Sequence, residues 1–134
     1  MERASDIVVL RVPRGEFALP VMRVVISGVA ARHNLALDQL DDVQLAVENL
    51  VAEEPGRGEE FELRLWLADD SFHVRIDGLT NRRVRRVLTE AEAAEPSDAY
   101  LLDMLLFLPS LVDGYRVIGE TSRSYAIELE KRAS

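Results

Sequence analysis

Between Phe61 and Ile76 apolar and polar residues alternate almost without a break, and that alternation limits what this chain can become. Phe61, Leu63, Leu65 and Leu67 interleave with Glu62, Arg64, Trp66 and Ala68; after Asp69-Asp70-Ser71 the period resumes at Phe72, Val74 and Ile76. A period of two sends one set of side chains to one face of a sheet. Two such runs joined by a short Asp-rich turn predict a β-hairpin with one apolar face. A hairpin alone is marginal in water, so the remaining residues must supply more strands and a cover for that face.

The cover is legible as helices. From Leu19 to Arg32 the residues Val21, Val24, Val25, Ile26 and Val29 recur at helical spacing, Pro20 suits the first turn, and Asn34 can terminate the segment. A second helix is expected from Leu37 to Glu53, with Asp38 as N-cap, Asp41 and Asp42 near the positive end of its dipole, and a stripe of Leu40, Val43, Val47 and Leu50. Asp42, Asn49 and Glu53 read as the solvated face opposite that stripe. Pro55 disfavours a helical conformation at Glu54, so the helix should stop near Glu53 and residues 55–60 should form a loop.

Further strands are expected at Ile7–Val12, Tyr115–Ile118 and Tyr125–Leu129. A short helix plus loop is expected over Thr80–Glu95, and a buried helix over Tyr100–Val112, with Pro109 kinking or ending its last turn. The order is strand, helix, helix, strand, strand, helix, strand, strand. It predicts an α+β protein: a two-layer α/β sandwich with a mixed, mostly antiparallel sheet of about five strands and helices on one face, in one domain spanning residues 1–134.

Charge and composition exclude several function classes. Hydrophobic residues make up 48% and charged residues 30%, a balance that can build a core, and the formal net charge of −8 repels phosphate backbones and anionic lipid. Nucleic-acid and membrane partners are therefore not expected. The 13 residues from Tyr100 to Val112 fall short of the roughly 20 needed to span a bilayer, and the first residues lack a signal-peptide pattern, so a cytoplasmic protein is expected. With no cysteine and two histidines, thiol chemistry and a histidine metal cluster have no basis. No serine sits in a nucleophile-elbow context. The basic run Arg82, Arg83, Arg85 and Arg86 is either a surface for an acidic partner or a solvated helix start paired with Glu90 and Glu92.

The element order, the segment LDDVQLAV from Leu40 to Val47 and the segment SLVDGYRV from Ser110 to Val117 resemble the bacterial anti-sigma serine kinases, which have a histidine-kinase-like ATPase fold. The resemblance spans roughly Ile7 to Arg132. In that family the second helix reads LAV-x-E-x-x-x-N, the Glu serving as general base and the Asn helping to hold magnesium. Here Asn49 stands at the Glu position and Glu53 at the Asn position. An amide cannot take up a proton as a carboxylate does.

Two further family elements are altered. Asp77 aligns with the Asp that binds the adenine amino group in Asp-x-Gly-x-Gly, but Leu79 and Asn81 replace both glycines, and an Asp-Gly pair after a strand also reads simply as a turn. Leu102 and Met104 stand where Gly-x-Gly would receive the phosphates. The resemblance thus implies a regulatory protein of the anti-sigma type that binds a sigma factor or an anti-anti-sigma protein, acts as a homodimer, and has lost its nucleotide site. The alternative it implies is an ATP-dependent protein serine kinase acting on an anti-anti-sigma protein. Glu53 or Glu48 would then be an unconventional base, and ATP and magnesium would be held at Asn49, Glu53 and Asp77.

Overall fold

The hairpin turn follows directly from its sequence. Asp69 and Asp70 both lie in the left-handed region, at φ 52° and 63°, the conformation a two-residue type I′ turn requires and one that Asp tolerates better than most residues. The turn joins β2 (Phe61–Ala68) to β3 (Ser71–Leu79) in antiparallel register, with Ala68 opposite Ser71 and Leu63 opposite Ile76. The computed structural model describes residues 6–89, 107–119 and 121–133. Within them the hairpin is extended by β1 (Val8–Val12) on one side and by β5 (Tyr125–Arg132) and β4 (Gly114–Gly119) on the other. The sheet order is β1-β2-β3-β5-β4, and every pairing among the described strands is antiparallel. The sheet is therefore not mixed as expected: each chain-adjacent pair that meets is joined by a turn or returns beside its neighbour in reverse.

Four helices are described: α1 (Ala18–Arg32), α2 (Leu37–Ala52), α3 (Arg82–Thr89) and α4 (Leu108–Leu111). Helix α1 ends as Asn34 takes a positive φ of 56° and the Leu35 amide donates back to the Ala30 carbonyl at 3.4 Å, the pattern of a Schellman stop. Helix α2 begins two residues earlier than an Asp38 cap would allow. Its N-cap is Ala36, whose amide donates to Gln39 Oε1 at 3.0 Å, and Asp38 lies in the first turn near the positive end of the dipole. Pro109 occupies the start of α4, where a missing N–H costs nothing, rather than its last turn. The remainder of the expected helix over Tyr100–Val112 lies outside the described residues.

One continuous cluster fills the space between the layers. Phe61, Leu63 and Leu65 of β2, Phe72, Val74 and Ile76 of β3, and Tyr125, Ile127 and Leu129 of β5 pack against Met22 and Ile26 of α1, Val43, Val47 and Leu50 of α2, Val84 and Val87 of α3, and Leu108 of α4. The opposite face of the sheet carries charge. Arg64 sits across from Arg75 and Glu62 across from Asp77, but each like-charged pair is offset within its own strand, by Arg64 to Glu62 at 2.8 Å and Arg75 to Asp77 at 3.0 Å. Trp66 stacks on His73, ring centroids 5.1 Å apart. Among the described residues no helix is long and apolar enough to cross a membrane.

Candidate functional site

Helix α2 stops at Ala52, yet its inward stripe continues one position further. Val47 and Leu50 are buried, and the next residue in that series, Glu54, carries a carboxylate into the same interior, its side chain 1% exposed. A buried carboxylate is tolerated only when paired and fully hydrogen-bonded. Glu54 meets both conditions. Its Oε1 accepts from Arg14 Nη1 at 3.0 Å, from the Thr80 amide at 2.8 Å and from Thr80 Oγ1 at 3.0 Å, while Oε2 accepts from the Asn81 amide at 2.9 Å.

Arg14 enters from the turn between β1 and α1, and its side chain is 2% exposed. Besides Glu54 it donates to the carbonyls of Glu59 at 2.7 Å, Pro55 at 3.2 Å and Gly78, and its guanidinium lies 4.3 Å above the centre of the Phe61 ring. A planar five-donor fork can satisfy four acceptors at once, which a lysine could not arrange in the same way. Asn81 extends the network: Nδ2 donates to the Glu53 carbonyl at 2.7 Å, and Oδ1 accepts the Arg83 and Val84 amides, capping α3. The Tyr125 hydroxyl donates to the Asn81 carbonyl at 3.0 Å, and the Arg85 guanidinium lies 5.3 Å from the Tyr125 ring centre while donating to the Thr121 carbonyl. Residues far apart in the chain thus tie the end of α2, the end of β3, the start of α3 and β5 into one polar clasp.

Burial pushes the Tyr125 hydroxyl well above its ordinary range; the Glu54 carboxylate adds to the rise and Arg85 opposes it. A phenol with a raised folded pKa contributes stability that is complete below its unfolded value, near 10, and is lost as pH climbs above that value. Stability measured by denaturant titration between about pH 9 and 11 should therefore fall more steeply for the wild type than for Tyr125→Phe. At neutral pH the variant should be weaker by about 1 kcal/mol for the lost hydrogen bond. Parallel pH profiles would show that the phenol is not what titrates.

The residues singled out by resemblance do not converge. Asn49 is half-buried on α2, and Glu53 is the C-cap of that helix, its carbonyl bound by Asn81. Asp77 projects from the helix-free face of the sheet, where Arg75 holds it through Nε at 3.1 Å and Nη2 at 3.0 Å. It lines an open groove of about 490 Å³ together with Arg11, Glu59, Glu60, Phe61, Glu62, Gly78 and Ser124. No α2 residue borders that groove. Its carboxylates outnumber its one arginine, an electrostatic setting that disfavours a polyphosphate. A second recess of about 300 Å³ lies between the β1–α1 turn and the end of α2, lined mainly by Ala18, Leu19, Val51, Ala52, Pro55 and Phe61 with Glu16 and Glu54 at its side.

The polar face of α2 is also less solvated than expected. Asp42 is paired with Lys131 of β5 at 3.1 Å, and Lys131 also donates to the Leu111 carbonyl. Of the four arginines in the basic run, Arg82 and Arg83 are exposed on α3, whereas Arg85 and Arg86 are half-buried and Arg85 belongs to the clasp. Leu102, Met104, Glu90 and Glu92 lie outside the described residues. Among the described residues no three carboxylate or imidazole groups gather as a cation site. No family model matches this chain, and no curated protein matches it.

Sequence reasoning passed over Arg14, Glu54 and Thr80 as turn and loop residues. One signal for Glu54 was present: it continues the stripe of Val47 and Leu50 at helical spacing, so an acid there needed a buried partner.

Proposed function

We propose that this chain is a regulatory binding module of the anti-sigma type, with a histidine-kinase-like ATPase fold whose nucleotide site is lost, acting by surface contact with a sigma factor or an anti-anti-sigma protein. The element order and the segments at Leu40–Val47 and Ser110–Val117 support the ancestry. The observation that carries the loss of chemistry is the clasp. Between the end of α2 and the end of β3, the interval in which active relatives would hold nucleotide, Glu54 is hydrogen-bonded to the Thr80 and Asn81 amides and paired with Arg14. A protein with no reaction to run must act through contact. Arg82 and Arg83 are exposed and lend the start of α3 a positive charge in an otherwise acidic protein, which suits an acidic partner surface.

Binding is the experiment. Each purified sigma factor of the host, titrated into the full chain without nucleotide, is expected to yield one that binds, and Arg82→Glu with Arg83→Glu should weaken that complex at least tenfold, about 1.4 kcal/mol. Failure of every sigma factor and every anti-anti-sigma protein of the host to bind would refute the proposal.

A further inference from the structure

Between the β1–α1 turn and the end of α2 the layers leave a gap, the recess of about 300 Å³, a volume at the lower end of the range of ligand pockets. Its floor is apolar, made by the buried Ala18, Val51 and Phe61. It stays open because small residues line both sides, Gly15 at the turn and Ala52 and Gly56 at the end of α2. Gly56 does not take a positive φ, and a Cβ there would meet nothing within 4 Å. Neither its backbone nor its neighbours ask for a glycine, and the missing side chain leaves that edge of the recess unobstructed.

The charge around the recess has one sign. The ionisable residues that line it are Glu16 and Glu54. Glu54 is offset by Arg14, but Glu16 is exposed and has no partner among the described residues. The helix ends do not change this balance: the N-terminal end of α1 and the C-terminal end of α2 meet here, two helices of similar length whose partial charges are opposite. An anion would be repelled by Glu16, and a neutral guest would gain nothing from it. A compact molecule with an apolar body and one positive charge suits floor and rim together. None of Asn49, Glu53 and Asp77 lines the recess, so it is separate from the positions that the resemblance assigns to ATP.

We propose that this recess binds a small amphiphilic amine, its apolar body against Ala18, Val51 and Phe61 and its ammonium beside Glu16. Occupancy touches the clasp directly, because Glu54 and Phe61 belong to both: Arg14 pairs with Glu54 at 3.0 Å and lies 4.3 Å above the Phe61 ring. A bound amine therefore stabilises the folded chain by mass action. This inference stands apart from the anti-sigma reading, since it needs no protein partner.

Three probes separate the body from the charge: phenethylamine, phenethyl alcohol and hydrocinnamate carry a positive, no and a negative charge on the same apolar body. Each is titrated at neutral pH into the isotope-labelled full chain and followed by amide NMR. Phenethylamine should bind with a millimolar or tighter Kd and shift the Gly15 and Gly56 amides most. The alcohol should bind about threefold more weakly, as loss of a partly exposed ion pair implies, and hydrocinnamate more weakly still. Glu16→Gln should erase the preference for the amine over the alcohol and leave the alcohol's affinity unchanged. Ala52→Phe, at an exposed position on the recess, should fill it and remove binding of all three while the free chain melts as before. No binding of any probe at high millimolar concentration overturns the proposal. So does an order that does not follow charge, a preference for the amine that survives Glu16→Gln, shifts centred away from Gly15 and Gly56, or binding that survives Ala52→Phe.

Discussion

Glu54→Ala is expected to lose about 3–5 kcal/mol of folding free energy in urea denaturation, enough to leave little of the 5–15 kcal/mol typical of a domain. The loss has two sources. Arg14, 2% exposed, would keep its charge in the interior with no carboxylate beside it. The Thr80 and Asn81 amides, which donate to Glu54 at 2.8 and 2.9 Å, would lose their acceptor at the start of α3. Removing Arg14 as well takes away the stranded charge, so Arg14→Ala with Glu54→Ala should cost clearly less than the two single changes summed. A Glu54→Ala protein within about 0.5 kcal/mol of wild type, the range of ordinary surface changes, would mean that the clasp does not hold the fold.

The second large effect is expected at Gly78, in the irregularity of β3. The register runs from Ile76 opposite Ile127 to Leu79 opposite Tyr125, so β3 carries one residue more than β5 across this step, the count of a β-bulge. Gly78 takes φ +92°, and a Cβ there would stand 3.0 Å from the Glu60 carbonyl oxygen, a backbone atom with little room to move. The same bulge aims the Gly78 carbonyl at Arg14 and leads into the Thr80 and Asn81 amides that donate to Glu54. Gly78→Ala should therefore cost about 1–3 kcal/mol through backbone strain. Arg14→Ala in the Gly78→Ala background should cost less than in the wild type, because the clasp is already misaligned. Fully additive losses in that double-mutant cycle would separate the bulge from the clasp.

The elements that sequence disclosed are those encoded locally. Alternation gave the hairpin; the stripe of Val43, Val47 and Leu50 gave α2; Pro55 and Asn34 gave the helix ends, because each acts on backbone within a turn of itself. The Asp38 cap was misplaced since the helix starts at Leu37, where Gln39, three residues after the N-cap, accepts the Ala36 amide. The clasp was not legible because the bonds of Arg14 and Glu54 join residues 26 to 64 positions apart, and nothing in local periodicity says that Arg14 of one turn will meet Glu54 beyond the end of a helix. The face that Asp77 occupies was, by contrast, already implied by the alternation through Ile76. What the sequence did not show is the groove around it, whose walls Arg11, Glu59, Glu60 and Ser124 come from segments brought together only when β3 has found its neighbours.

In the proposed reading the protein's own side chains take the place of a nucleotide. Isothermal titration of the full chain with ATP and magnesium tests it most directly. The clasp and the acidic groove beside Asp77 predict no heat of binding up to millimolar ATP, on the order of −4 kcal/mol or weaker. One-site binding in the micromolar range that Asp77→Ala abolishes would contradict the account and return the serine-kinase alternative to first place.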